Sequence, residues 1–254
     1  MGRTVVQLVH EAEGLTLTAA IDAEESPELG RDAGELAGVK ALGVKVSSDL
    51  ATLEAADVVI DFSLPRALPR LFDRLEKKPM PLVLATTGLD DALQGRIDGL
   101  AQRVPLVAAP NYSLGVAVLC HLAEQAAALL PGFDLEIVEM HHRNKVDAPS
   151  GTALGLLDAA ARGRAQQGRE HAVFGRKGHP GARTDNEIGV MALRGGDVIG
   201  DHTLMLAGPG ERLELSHRAS NRSLFAHGAL RAARFLVGKP AGRYTMAQVL
   251  GLAR

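Results

Sequence analysis

Three largely apolar runs constrain this 254-residue chain more than any other feature: residues 57–62 (DVVIDF), 81–85 (PLVLA) and 104–109 (VPLVAA). Strands that are apolar throughout, without alternation, are covered on both faces, as in parallel sheets. Helical patterns separate them, one starting at Pro65 and one over 93–102. Strands alternating with helices spell an α/β, Rossmann-like parallel sheet. Such sheets bind ligands at the carboxyl ends of their strands. Those ends carry Phe62 and Ser63, then Ala85, Thr86 and Thr87, then Ala109, Pro110, Asn111 and Tyr112. Singly each reads as a turn; as a set they mark one ligand-lining edge.

The first residues fit the same scheme. Residues 3–12 read as a helix through Val5, Val6, Leu8 and Val9, closed by Gly14, and 15–21 as a strand ending at Asp22. Asp22 lies twenty positions after Gly2. That is the spacing from the last glycine of a dinucleotide-binding turn to the acid that grips the adenosine ribose. Gly2, Arg3 and Asp22 are therefore candidate cofactor residues, with Asp22 also readable as a plain strand-end turn. Only Met1 precedes Gly2, so the expectation is a start placed too late, with roughly one to two dozen residues of strand and phosphate loop upstream. A chain starting at Met1 should then bind cofactor poorly. Residues 27–48, with four glycines, read as loop with a short strand at 44–46.

The second half differs in kind. A helix over 115–130 is stopped by Pro131-Gly132, and an apolar strand at 135–138 leads into EMHHRNKVDAPSGTA, residues 139–153. If the strand continues through His141 and His142, the two histidines point to opposite sides. Lys145 adds a cation, Ser150 is a natural helix N-cap, and Gly151 and Thr152 stand at a helix start that favours a carboxylate or phosphate. Two titratable cationic groups and an anion-binding helix start suit an anionic substrate. The His-His pair also reads as ordinary loop, and the Ser-Gly-Thr turn alone as a cap. A metal is disfavoured, because no Cys cluster or HExxH spacing is present and Lys145 would repel a cation. The helix runs to about Gly163, and 164–185 read as a long loop. Residues 187–193, 197–207 and 212–219 read as an antiparallel meander. A helix over 223–237 and a short one capped by Thr245 close the chain.

E-x-H-H-x-x-K-x-D-x-P-S-G-T-A resembles the signature of the dihydrodipicolinate reductase family. The likeness extends from Met1 to about Leu252 through DAGELAG, VVIDFS, ATTG, APNYSLGV, GDVIGDHT and GERLELSHRASNR. It implies a nucleotide domain, 1–112 with 222–254, and an inserted α+β substrate and oligomerisation domain, 113–221, on a mostly antiparallel sheet. It implies NAD(P)H-dependent reduction of 4-hydroxy-tetrahydrodipicolinate, a cyclic dicarboxylate, in lysine and diaminopimelate synthesis. The strand-end set would line the nicotinamide ribose and amide. By the same likeness His141 is the proton donor, with Lys145 as second candidate acid. His142, Lys145, Ser150, Gly151 and Thr152 would hold the carboxylates. Both His141 and Lys145 are read as loop residues whose loss spares the fold. Arg222 reads equally as a carboxylate ligand or a surface arginine, and His217 is as open. The family often places an arginine for the cofactor 2′-phosphate where this chain has Ala23, so NADH is expected over NADPH, with Arg31 the residue to suspect otherwise. The likeness also implies a homotetramer and a hinge near Asn111 and Asn221.

Composition bounds the partners. A net charge of −2, no Trp and 3% aromatic residues give no case for nucleic acid. No apolar run reaches the length of a membrane span, and no leader is visible, so a cytoplasmic protein is expected. The one cysteine, Cys120, falls in an apolar helical pattern and reads as core. Two other functions stay open: another Rossmann-type reductase of aspartate-derived acids, and a non-catalytic ligand-binding relic.

Overall fold

The computed structural model describes residues 1–252, which divide into two compact units, 1–113 with 223–252 and 114–222. In the first unit α1 (Gly2–Glu11) precedes β1 (Ala20–Ile21), α2 (Ala33–Leu36) and β2 (Val46–Ser47). β1 and β2 pair in parallel. The expected strand over 15–21 thus shortens to two residues, because only Ala20 and Ile21 find ladder partners. The expected loop at 27–48 contains the short helix α2, whose N-cap Asp32 accepts the amides of Gly34 and Glu35. Asp32 also accepts those of Leu42 and Gly43, closing the loop on itself.

The three apolar runs form β3 (Val59–Asp61), β4 (Leu82–Leu84) and β5 (Pro105–Ala108), linked by α3 (Leu68–Lys77) and α4 (Asp91–Ala101). α3 buries Leu68, Leu71, Phe72 and Leu75, the spacing of one helix face. α4 buries Leu93, Ile97 and Leu100, capped by the Asp90 side chain on the Leu93 amide at 2.8 Å. Both stripes pack with Leu82, Leu84 and Leu106 into one core.

The second unit opens with α5 (Leu114–Leu129), β6 (Asp134–His141) and α6 (Gly151–Gly163). β7 (Ala172–Val173), β8 (Ile188–Arg194), β9 (Gly200–Gly208) and β10 (Glu211–Ala219) follow. The sheet order is β10-β9-β6-β8-β7. Here the expected meander is corrected: β8 does not pair with β9. β6 lies between them, parallel to β8 and antiparallel to β9, so the sheet is mixed. One face of β6 carries Leu135 and Ile137, which meet Leu156 and Leu157 of α6 and Leu119 of α5 in a second core. Cys120 packs against this core, half-buried. The 164–185 segment is loop apart from β7, and it is tied down by Arg176 and Arg183 on Glu136.

The chain returns to the first unit through α7 (Ser223–Leu236), β11 (Gly242–Tyr244) and α8 (Met246–Val249). β11 extends the parallel sheet to β11-β5-β4-β3, a strand that GRY does not announce by hydrophobicity. Thr245 caps α8 in a capping box with Gln248.

Candidate active site

The opening of the second unit's site is the carboxyl end of β6. Leu135, Ile137, Glu139 and His141 alternate onto the face that packs against the helices. His141 is therefore the last residue of a strand and is buried, not a loop residue as the sequence suggested. His142 follows on the other side of the chain, half-buried, and its carbonyl accepts the Lys145 amide at 3.1 Å.

Glu139 is the centre of the arrangement and is fully buried. Its Oε2 accepts His141 Nδ1–H at 2.6 Å and Arg194 Nη1–H at 2.9 Å. Its Oε1 accepts the Ser150 amide at 3.0 Å and Arg194 Nη2–H at 3.0 Å. Burial pushes the carboxyl up, but Arg194, His141 and Ser150 outweigh it and hold it below the ordinary carboxylate range. Arg194 is itself fixed by the carbonyls of Leu193 and Asp147, each at 2.6 Å.

Ser150 caps α6 as the sequence predicts, accepting the Ala153 amide at 3.2 Å, and Gly151 and Thr152 form the first turn behind it. Backbone N–H groups in such a turn face away from the helix body. Ser150 Oγ also meets His202 Nε2 at 3.1 Å. His202 stacks edge-on to His141, with ring centroids 5.1 Å apart. Burial, then repulsion from His141, pushes the His202 pKa down to about 4, so its ring is neutral at neutral pH. Lys145 Nζ lies 2.8 Å from Asp147 Oδ1, and Lys145 holds the Asp147 carboxyl low. Gly200 faces His141 across the sheet: a Cβ there would stand 2.9 Å from His141 Nε2, so only a glycine leaves room for the ring nitrogen. His217 sits opposite His202 on β10 and is half-buried, while Arg222 is exposed at the end of this unit.

In the first unit the strand ends gather around Asp61. Its Oδ1 accepts the Ser63 amide at 3.2 Å, Ser63 Oγ–H at 3.1 Å and Thr86 Oγ1–H at 2.7 Å. Thr86 is buried, Thr87 and Pro110 are exposed, and Phe62, Ala85, Ala109 and Asn111 are half-buried. Asn111 Oδ1 accepts the Ser113 amide at 2.8 Å. Tyr112 is different: its ring is buried beside Phe62 and its hydroxyl faces the carbonyls of Leu84 and Val107 at 3.0 and 2.8 Å. Its side chain is a strut of the sheet, and its contribution to a ligand is confined to its backbone. Asp22 is exposed and already accepts the Ala23 amide and Ser26 Oγ–H, each at 2.8 Å. Gly2 is exposed at the start of α1, and Arg3 reaches Glu28 at 2.8 Å. An exposed acid after β1, with polar side chains clustered at the ends of parallel β3, β4 and β5, is a donor set that fits a dinucleotide.

Glu139, Arg194, His202 and Asp61 were not singled out from the sequence. Glu139 was findable, as an acid two residues before His141 in a strand shares its face. Arg194 lay outside every family stretch, and His202 stood in GDVIGDHT without an assigned role. Strand register brings them in, His141 opposite Arg194 and Glu139 opposite His202.

The family models described as dihydrodipicolinate reductase, N-terminus, and dihydrodipicolinate reductase, C-terminus, match residues 1–112 and 115–250. The chain belongs to the dihydrodipicolinate reductase family. It is 49% identical to a 4-hydroxy-tetrahydrodipicolinate reductase of Alkalilimnicola ehrlichii over 99% of this chain and 95% of that one. The corresponding reductase of Halorhodospira halophila is 46% identical over the same shares. Among solved structures, a dipicolinate-bound dihydrodipicolinate reductase from Paenisporosarcina matches with TM-score 0.75 and 27% identity, covering 97% of this chain and 94% of that one. An amine dehydrogenase from Mycobacterium smegmatis, at 16% identity and TM-score 0.57 over 97% and 92%, shares the fold alone. The N-terminal half of this family's fold is a pyridine-nucleotide fold. Among the described residues no helix is long and apolar enough to cross a membrane, and no group of three or more His, Cys, Asp or Glu residues is placed to hold a metal ion.

Proposed function

We propose that His141, Lys145 and the start of α6 form the substrate site of an NAD(P)H-dependent 4-hydroxy-tetrahydrodipicolinate reductase. As a member of its family the chain is an oxidoreductase of lysine and diaminopimelate synthesis, yielding tetrahydrodipicolinate. The observation that carries the site is that one buried carboxylate, Glu139, binds both His141 and the cap residue of α6. Catalytic and anchoring groups are thereby held on one rigid support.

The reaction needs a hydride, supplied by the bound nicotinamide, and a proton. Lys145, with His142 and Arg222, offers cationic donors to the substrate carboxylates. Ser150, Gly151 and Thr152 hold one carboxylate at the helix start. His141 delivers the proton from Nε2, the ring nitrogen that does not face Glu139 and lies beside Gly200. The first unit is the dinucleotide-binding domain, with Gly2, Arg3, Asp22 and the ends of β3, β4 and β5 as its cofactor residues. The second is the substrate and oligomerisation domain. NADH is preferred over NADPH. Asp22 with Ala23 favours free ribose hydroxyls, and Arg3 and Arg31 are both engaged by Glu28 instead of standing ready for a 2′-phosphate. The assembly is a cytoplasmic homotetramer. Neither another Rossmann-type reductase nor a ligand-binding relic has an observation of its own in its favour.

The test is steady-state turnover of 4-hydroxy-tetrahydrodipicolinate with each cofactor. KM for NADH should be lower than for NADPH. His141→Gln and Lys145→Ala should each lower kcat by about 100-fold or more. Turnover undiminished in both variants would remove the site assignment, and none in the wild type would remove the activity. A lower KM for NADPH would reverse the cofactor preference.

A further inference from the structure

Glu139 has no capacity left for a ligand. A carboxylate has about four lone-pair sites, and here all four are filled: by His141, by Ser150 and by the two arms of the Arg194 fork. It is fully buried as well, so it touches neither substrate nor solvent. What remains is its effect on its neighbours. An ionised carboxylate only accepts hydrogen bonds, so the nitrogen that faces it, His141 Nδ1, must carry a hydrogen. In the neutral ring the bare nitrogen is then Nε2, the one beside Gly200.

We infer that Glu139, clamped by Arg194, is a positioning residue that fixes the ring orientation and tautomer of His141, so that the proton consumed in the reduction is loaded and released only at Nε2. This rests on the proposed role of His141 as acid. The proton-transfer step balances simply. Protonated His141 loses its Nε2 proton to the substrate and returns to the neutral ring, whose Nδ1–H stays on Glu139, and water reloads Nε2. The groups around His141 are Glu139 on β6, Arg194 on β8 and His202 on β9, and His217 on β10 lies opposite His202. Among the described residues only Glu139 is bonded to the His141 ring.

Glu139→Gln is nearly isosteric and makes the idea testable. Its NH2 can face either Ser150 N–H or His141 Nδ1, and on either side it meets one arm of the Arg194 fork, so Arg194 does not decide between them. The backbone amide cannot become an acceptor, whereas the imidazole can. The NH2 should therefore turn to Nδ1, and the ring should answer by moving its hydrogen to Nε2. An acid in that state is the neutral Nε2–H, and releasing it would leave an imidazolate. The expected result is a loss of about 10- to 100-fold in kcat with KM little changed. Nitrogen-15 spectra of the folded protein should show neutral His141 protonated at Nδ1 in the wild type and at Nε2 in the variant. Arg194→Lys keeps the charge but removes the fork, so it should retain the wild-type tautomer and lose less activity than Glu139→Gln. A wild-type ring protonated at Nε2, or an unchanged tautomer in Glu139→Gln, overturns the inference whatever the kinetics. A switched tautomer with unchanged kcat also overturns it, and shows in addition that His141 is not the acid. If His141→Gln alone proves harmless, the fault lies with the reading of the site, and the spectra still report on the Glu139 clamp.

Discussion

At the scale of single residues, the buried histidine next to the site has a cost that depends on pH. His202 is held neutral, its pKa lowered from 6.5 to about 4 by burial first and by the charge of His141 second. The unfolded chain therefore binds this proton more readily than the folded one. The stability linked to His202 is complete above pH 6.5 and is lost as pH falls through about 4, a difference of roughly 3 kcal/mol. Glu139 works in the same direction at lower pH: its carboxyl is held low, so its contribution is present above the ordinary carboxylate range and lost as acid protonates it. Urea unfolding between pH 7 and 4 should show a decline in midpoint that is shallower in His202→Asn. Parallel curves for the two proteins would mean that His202 does not carry the effect.

At the scale of elements, α7 is set by how closely it lies on the chain at Tyr112. A Cβ at Gly228 would stand 1.7 Å from the Tyr112 carbonyl oxygen, which is backbone and cannot swing aside. Tyr112 in turn is pinned through its hydroxyl to the carbonyls of Leu84 and Val107, so the sheet and α7 are locked through one residue. Gly228→Ala should push the helix away and cost about 1–3 kcal/mol or more. Gly155, inside α6, has nothing within 4 Å of such a Cβ. Gly155→Ala should instead stabilise by about 0.5–1 kcal/mol, since alanine suits a helix interior. Thermal melts of the two variants should therefore shift in opposite directions. Shifts of the same sign would mean that the close approach at Tyr112 does not decide the packing of α7.

At the scale of the whole molecule, the second unit's sheet has one face on α5 and α6 and another turned away from them. That second face carries Val138, Met140, Met191 and Met205, half-buried, and Leu193, half-exposed. Apolar side chains on a flat sheet face are better covered than wetted, which favours pairing with further copies of the chain. Sedimentation equilibrium at micromolar concentration should give four times the chain mass. A monomer under those conditions would remove the tetramer from the proposal. Leu193→Glu, a charge placed on that face, should weaken the assembly without disturbing either core.

The chain's own order of residues determined a good deal. The runs 57–62, 81–85 and 104–109 specified parallel strands, because strands covered on both faces are apolar at nearly every position instead of alternating. Ser150 and Thr245 marked helix starts by chemistry that acts within four residues. His141 and Lys145 stood out because they share one short segment with a helix cap. Tertiary structure decided what lies far apart in sequence. β8 pairs with β6 rather than β9, since the sheet places β6 at its centre, and hydrophobic pattern does not name a strand's partner. That register alone sets Arg194 opposite His141, with a carboxylate bonded to both. β11 was hidden because GRY is polar enough for a turn and becomes a strand only by the edge that β5 offers it. His141 proved to be a strand residue for the same reason: the ladder to β8 and β9 extends β6 to its end, where the local sequence has already turned polar.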